Sequence, residues 1–268
     1  MLANPVHKGA MEPFQILGNT WFVGSRPAST HIIDTGDGLI MLDSGYQESL
    51  YLVLDSMYRC NLDPRKLRYI IHSHGHIDHA AATGALVALT GAETFIGSGD
   101  REMVDGTRPE LTAYAELGLP VPEPFKPDHL LHDGDQIKLG NVVIDCIATP
   151  GHTAGVISFF WDVEFEGKIY RAGTFGGAGR NSMRSAYTSK YDLPCKKLRE
   201  DFRQSLLRLK QEKVDIFIGN HVTQNQTPER YQRLMAGDKM AFVDPDAWLD
   251  FLNMCENALN KLETEDPL

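Results

Sequence analysis

Residues 72–79 read His72-Ser73-His74-Gly75-His76-Ile77-Asp78-His79. They follow a short apolar run at 69–71, the kind a buried strand uses, and precede an Ala- and Leu-rich segment that stops at Gly91. The spacing predicts a strand, a tight turn and a helix over 79–89. Imidazole and carboxylate groups bunched in one turn suit a borderline-soft divalent ion. A spacing of two puts His74 and His76 on the same side of an extended segment, where both reach one ion. Asp78 and His79 stand at the helix start, able to face a second. With this composition the pattern H-x-H-x-D-H arises by chance in roughly one chain of this length per thousand. A solvated histidine-rich loop is the bland alternative.

Two distant segments count against that alternative. Thr149-Pro150-Gly151-His152 puts a histidine on a tight turn between two apolar strands, and Gly219-Asn220-His221 puts another directly after an apolar run at 214–218. Each alone reads as a surface or hydrogen-bonded core histidine. Together they complete two three-ligand sets around the cluster. His72 has no slot in either set and reads as structural.

Outward from these motifs, strand-type residues fill 14–23 and 31–42, and 48–60 has near-helical apolar spacing. A further strand is expected at 94–96 and a short helix at 98–104. Five prolines make 106–128 an irregular excursion rather than a linker. Strands are expected at 136–139, 142–149, 156–161, 168–172 and 214–218, with helices at 195–210 and 247–262. Strands and helices in both halves suggest a layered αβ domain, one unit spanning 1–268.

The whole chain has 268 residues and a net charge of −10, which makes nucleic acid a poor partner. The basic residues of 190–213 alternate with acids and read as a solvated helix face. Four scattered cysteines form no C-x-x-C pair and read as buried free thiols. No apolar run is long enough for a membrane span, and 1–15 holds no signal-like stretch. The expectation is a cytoplasmic chain, or an exported one whose signal is absent from this sequence. A small-molecule substrate is expected, without nucleic acid or membrane partners.

The order H-x-H-x-D-H, P-G-H turn and late strand-end histidine resembles the metallo-β-lactamase superfamily, from the early strands and Asp43-Ser44-Gly45 to His221. The resemblance implies a four-layer αββα sandwich. It implies that His74, His76 and His152 hold one metal and that Asp78, His79 and His221 hold a second. Asp43 is similar to a family acid that supports a ligand histidine from behind; it also reads as an acid satisfying its own turn. Many relatives place an acid ligand in a later G-D segment. Here Tyr170-Arg171-Ala172-Gly173-Thr174-Phe175 has none, so the chain looks closest to the third subclass, and an acid restored at Gly173 is expected to tighten metal binding. Thr174 and Asn220 are then expected behind the ligands or against substrate.

The implied activity is that of a dinuclear zinc hydrolase. It would open a cyclic or activated acyl bond, such as a β-lactam amide, with hydroxide generated at the metals and oriented by Asp78. Ligation without thiolate also admits iron or manganese. The helix starting at His79 is expected to turn its positive end toward the site. The rival readings are a lactone, ester, thioester or small phosphoester hydrolase on the same site, and a metal-binding scaffold without turnover.

Overall fold

Leu39–Leu42 is apolar and buried at every position, as a strand covered on both faces must be. Its alternate residues diverge. Met41 joins Ile32 and Ile70 in one cluster, while Ile40 and Leu42 join Ile33 and Ile71 in another. That split defines the layers of the computed structural model, which describes residues 9–268.

The first sheet has seven strands in chain order: β1 (Phe14–Leu17), β2 (Thr20–Phe22), β3 (His31–Asp34), β4 (Leu39–Leu42), β5 (Leu67–Ile71), β6 (Glu93–Gly97) and β7 (His129–Leu131). The first four form an antiparallel meander, and β4 to β7 run parallel. In the second sheet β8 (Gln136–Leu139), β9 (Val142–Ala148), β10 (Ile157–Phe165) and β11 (Lys168–Thr174) are antiparallel. The two-residue β12 (Ile216–Phe217) adds parallel to β11.

Between the sheets lie Phe22, Ile33 and Leu42 from one side and Ile144, Phe159 and Trp161 from the other. Trp161 is fully buried, its indole nitrogen donating to Thr20 Oγ1 at 3.1 Å. Truncating a ring so placed to Ala costs about 3–5 kcal/mol. Helices α1 (Leu50–Arg59), α2 (Ile77–Ala80) and α3 (Thr83–Thr90) come from the first half. Val53 and Met57 of α1 and Leu86 of α3 cover the outer face of the first sheet. α4 (Arg101–Val104) and α5 (Ser185–Lys190) are short, and α6 (Cys195–Leu209), α7 (Thr227–Met235) and α8 (Pro245–Glu265) follow. Leu198 and Phe202 of α6 and Trp248 and Leu259 of α8 pack on Phe160 and Phe217, outside the second sheet. The layers are αββα, as the resemblance implies.

The expected helix over 79–89 is two helices. In an unbroken helix the His79 carbonyl would accept from the amide four residues on. Instead it accepts from Ser44 N at 2.8 Å, Gly45 N at 3.3 Å and Ser44 Oγ at 3.1 Å, while Ala82 N donates to Gly45 O. The tertiary bonds split the helix and lock α2 to the 43–45 turn. The expected strand at 214–218 shrinks to β12, although Asp215 N and Ile218 N continue the pairing to Arg171 and Gly173. Cys146 and Cys255 are buried, but Cys60 and Cys195 are only half-buried. Among the described residues no helix is long and apolar enough to cross a membrane.

Candidate metal centre

The cluster lies where chain segments leave the ends of β5, β9 and β12, bringing 72–79, 149–156 and 218–221 together. His74 Nδ1 donates to the Gly176 carbonyl at 2.8 Å, which fixes its tautomer and leaves Nε2 as a bare lone pair. His152 Nδ1 donates to the Gly179 carbonyl at 2.9 Å, with the same result. The two bare Nε2 atoms sit 3.2 Å apart, and His76 Nδ1 lies 3.1 Å from His74 Nε2. Lone pairs aimed at each other repel unless a cation lies between them. Bonds of 2.0–2.1 Å to a tetrahedral zinc would separate its nitrogens by about 3.3 Å. The donor set fits the ion.

The second set is built the same way. His79 Nδ1 donates to Asp43 Oδ2 at 2.8 Å, and its buried Nε2 has no hydrogen-bond partner among the described residues. That atom stands 3.3 Å from Asp78 Oδ2, in poor hydrogen-bond alignment. His221 Nδ1 donates to the Pro27 carbonyl at 2.7 Å, and its Nε2 lies 3.6 Å from the same Asp78 oxygen. Donor atoms of His74, Asp78 and His79 all fall within 4.8 Å of one another, so the two sets adjoin.

Burial, reinforced by neighbouring imidazoles, holds His74 and His152 well below the usual histidine range, and burial takes His76 down to about 4. These rings are neutral, the state metal ligation requires. His79 differs: burial opposes its charge, but Asp78 and Asp43 outweigh burial and raise its pKa, and a cation bound at Nε2 would take the place of that proton. Burial also opposes the charge on Asp78, yet the surrounding histidines hold it well below the carboxylate range.

Asp43 does not serve its own turn. Its backbone is left-handed at φ 59°, a conformation Asp tolerates, and both oxygens reach across to the cluster. Oδ1 accepts from Ser73 N at 2.7 Å, and Oδ2 accepts from Ser73 Oγ at 2.7 Å and from His79. His72 is fully buried and faces away, bonded to the Phe95 carbonyl and Thr83 Oγ1. Asn220 Nδ2 donates to the Gly176 carbonyl, behind His74. Thr174 is buried, and its hydroxyl has no partner among the described residues.

Two expectations change. A side chain at Gly173 would point away from the cluster, its Cβ within 2.7–2.8 Å of Phe160 and Val214, in the layer under α6 and α8. Strand alternation puts Thr174, paired with the inward-facing Phe159, on the cluster's side. The helix-dipole argument also fails, because α2 is four residues long. The sequence alone did not indicate Ser182, whose hydroxyl donates to the His152 carbonyl at 2.5 Å, nor the carbonyls of Gly176, Gly179 and Pro27. Backbone acceptors leave no residue-type signal.

The cluster opens into a cleft of about 670 Å3, a size suited to a small molecule. Leu117, Phe251 and Met254 give it an apolar wall, and Arg180 is its one lining arginine or lysine among the described residues.

A family model described as the metallo-beta-lactamase superfamily matches residues 23–221. The chain is 34% identical over 130 residues to an uncharacterized protein of Mycobacterium leprae, covering 43% of this chain and 59% of that one. It is 30% identical over 121 residues to hydroxyacylglutathione hydrolase GloC of Haemophilus influenzae, covering 44% and 55%. The FEZ-1 metallo-beta-lactamase of Legionella gormanii superposes with a TM-score of 0.87, at 26% identity over 96% of this chain and 97% of that one. BJP-1, a subclass B3 metallo-beta-lactamase of Bradyrhizobium japonicum, gives 0.84 at 22% identity over 96% and 95%. The family match ends at His221, the last of the six donors, and the chain belongs to the metallo-beta-lactamase superfamily as a metal-dependent hydrolase of B3-like build.

Proposed function

We propose that the chain uses two zinc ions to open a cyclic or activated acyl bond of the β-lactam amide kind. One observation carries this reading: two adjoining donor sets whose lone pairs are bared by outward hydrogen bonds from their other ring nitrogens. His74, His76 and His152 would hold one ion, and Asp78, His79 and His221 the other. When bound, such ions supply Lewis acidity and bring the pKa of water toward ~7.

The residues of the chain do the rest. Asp78 turns Oδ2 toward His79 and His221, leaving Oδ1 to accept a hydrogen bond from the attacking water and fix its orientation. Arg180 Nη1 donates to the Ala258 carbonyl at 3.0 Å, which holds the guanidinium on the cleft wall with further N–H groups for an anionic substrate. The apolar wall of Leu117, Phe251 and Met254 would exclude water from a bound substrate. The similarity to FEZ-1 over nearly the full length of both chains favours an amide over a thioester. The partial match to hydroxyacylglutathione hydrolase GloC supports the thioester as second reading.

The test is a panel of β-lactams, lactones, thioesters and phosphodiesters, with and without added Zn²⁺, alongside elemental analysis. β-Lactam opening with two ions per chain is expected. At most one ion at saturating metal overturns the dinuclear reading, and turnover confined to thioesters overturns the substrate.

A further inference from the structure

The three donors of the first set come from two loops of different sheets. His74 and His76 leave β5 of the seven-stranded sheet, and His152 sits between β9 and β10 of the other. Their separation therefore depends on what ties one loop to the other. Asp100, at the turn after β6, has no exposed surface and belongs to neither loop. Its Oδ2 accepts from Gly75 N, between His74 and His76, at 2.9 Å. The same oxygen accepts from Thr153 Oγ1, next to His152, at 2.6 Å, and Oδ1 accepts from Gly155 N at 2.7 Å.

The surrounding backbone leaves no slack. A Cβ at Gly155 would fall 2.3 Å from Asp100 N, and one at Gly99 would fall 2.6 Å from the Ala154 carbonyl. A Cβ at Gly97 would overlap the Gly155 carbonyl. Only glycines let the Asp100 turn close on the His152 loop. The second set has other supports: Asp43 behind His79 and the Pro27 carbonyl behind His221.

We infer that Asp100 is a positioning residue that clamps the two ligand loops together and sets the affinity of the first metal site alone. The inference rests on the metal-binding reading above but not on the substrate or on turnover. An Asn at 100 would present an amide N–H to one of three donors, so a clamp bond is lost without loss of volume. Changes behind metal ligands typically cost 10–100-fold in metal affinity.

The test isolates each site and reads Zn²⁺ affinity by chelator competition. In a His221→Ala background, where the His74, His76 and His152 set stays whole, Asp100→Asn is expected to weaken binding on the order of 10–100-fold. In a His152→Ala background, where Asp78, His79 and His221 remain, Asp100→Asn is expected to leave affinity unchanged within about twofold. Asp43→Asn is expected to weaken the second site, where it disturbs the acceptor behind His79. Thr153→Val removes one donor and keeps the carboxylate. It is expected to weaken the first site less than Asp100→Asn, and it serves if that variant does not fold. Equal losses in both backgrounds, or none in the first, overturn the clamp. Failure of the His221→Ala protein itself to bind Zn²⁺ overturns the ligand assignment instead, and so separates the two.

Discussion

Asn220 Nδ2 and His74 Nδ1 donate to the same carbonyl oxygen, that of Gly176, at 2.8 Å each. The segment that follows β12 and the first histidine of the metal cluster are thus coupled through one backbone acceptor. Asn220 Oδ1 is buried and has no partner among the described residues. The amide's observed work is to hold the carbonyl that orients His74.

Asn220→Ala is accordingly expected to be mild. His74 keeps its acceptor, and one net hydrogen bond is lost, worth about 1 kcal/mol. For a chain of this size that lowers Tm by about 2–4 °C. Metal titration should show less than a tenfold loss and unchanged stoichiometry. Loss of an ion would make Asn220 a ligand rather than a support.

Asp78→Asn and His72→Ala should separate chemistry from folding. Asp78 carries the only carboxylate of the six donors, so the Asn variant is expected to lose about 10²–10⁴ in rate and to empty the second site first. His72→Ala deletes a fully buried ring between the Phe95 carbonyl and Thr83 Oγ1, a loss of about 2–4 kcal/mol in stability. Its metal content should stay normal. Paired melting curves and elemental analysis check both, and loss of an ion in His72→Ala would contradict this division.

Acid should unfold the protein partly through His31. This ring is buried on β3, against Phe22 at 5.6 Å, and burial, partly offset by Asp43, lowers its pKa to about 4. Below pH 6.5 the unfolded chain takes up a proton there that the folded chain refuses until about pH 4. The stability is therefore full above 6.5 and is lost as pH falls toward 4, a difference of about 3 kcal/mol at about 1.4 kcal/mol per pKa unit. His31→Phe keeps a ring and removes the titration. Denaturant midpoints between pH 7 and 4 should fall less steeply for this variant than for the parent chain.

The clustering of the six donors was legible because each motif is local: three histidines and Asp78 in one turn, and two histidines at strand ends. The four layers were legible only through the resemblance: β4 is apolar at every position, and its residues part into two clusters only in the structure. What escaped depends on distant partners. The break between α2 and α3 comes from Ser44 and Gly45, which take the His79 carbonyl from 34–35 residues away. The role of Asp100 comes from donors 25, 53 and 55 residues away. α7 had a local signal, Thr227-Pro228 at its start, that the apolar pattern did not amplify because only Thr227 and Arg230 are buried within it.

Neighbouring substitutions on β11 give the sharpest test of how that strand faces the site. At Gly173 a carboxylate would be driven between Phe160 and Val214, where no cation waits and an unpaired charge is costly. Gly173→Asp is expected to express poorly or to melt far below the parent chain, without gain in metal affinity. Thr174 is one residue on, on the opposite face, with a buried hydroxyl that has no partner among the described residues. A carboxylate there adds the negative charge that only Asp78 now supplies to the six donors. Thr174→Asp is therefore expected to slow the loss of zinc to a mild chelator, with the gain at the second site. Turnover should fall if the added acid occupies the position of the attacking water. Chelation half-times and melting curves for the two variants decide the matter. Faster zinc loss in Thr174→Asp, or a stable Gly173→Asp that binds zinc more tightly, would show that the strand faces the other way.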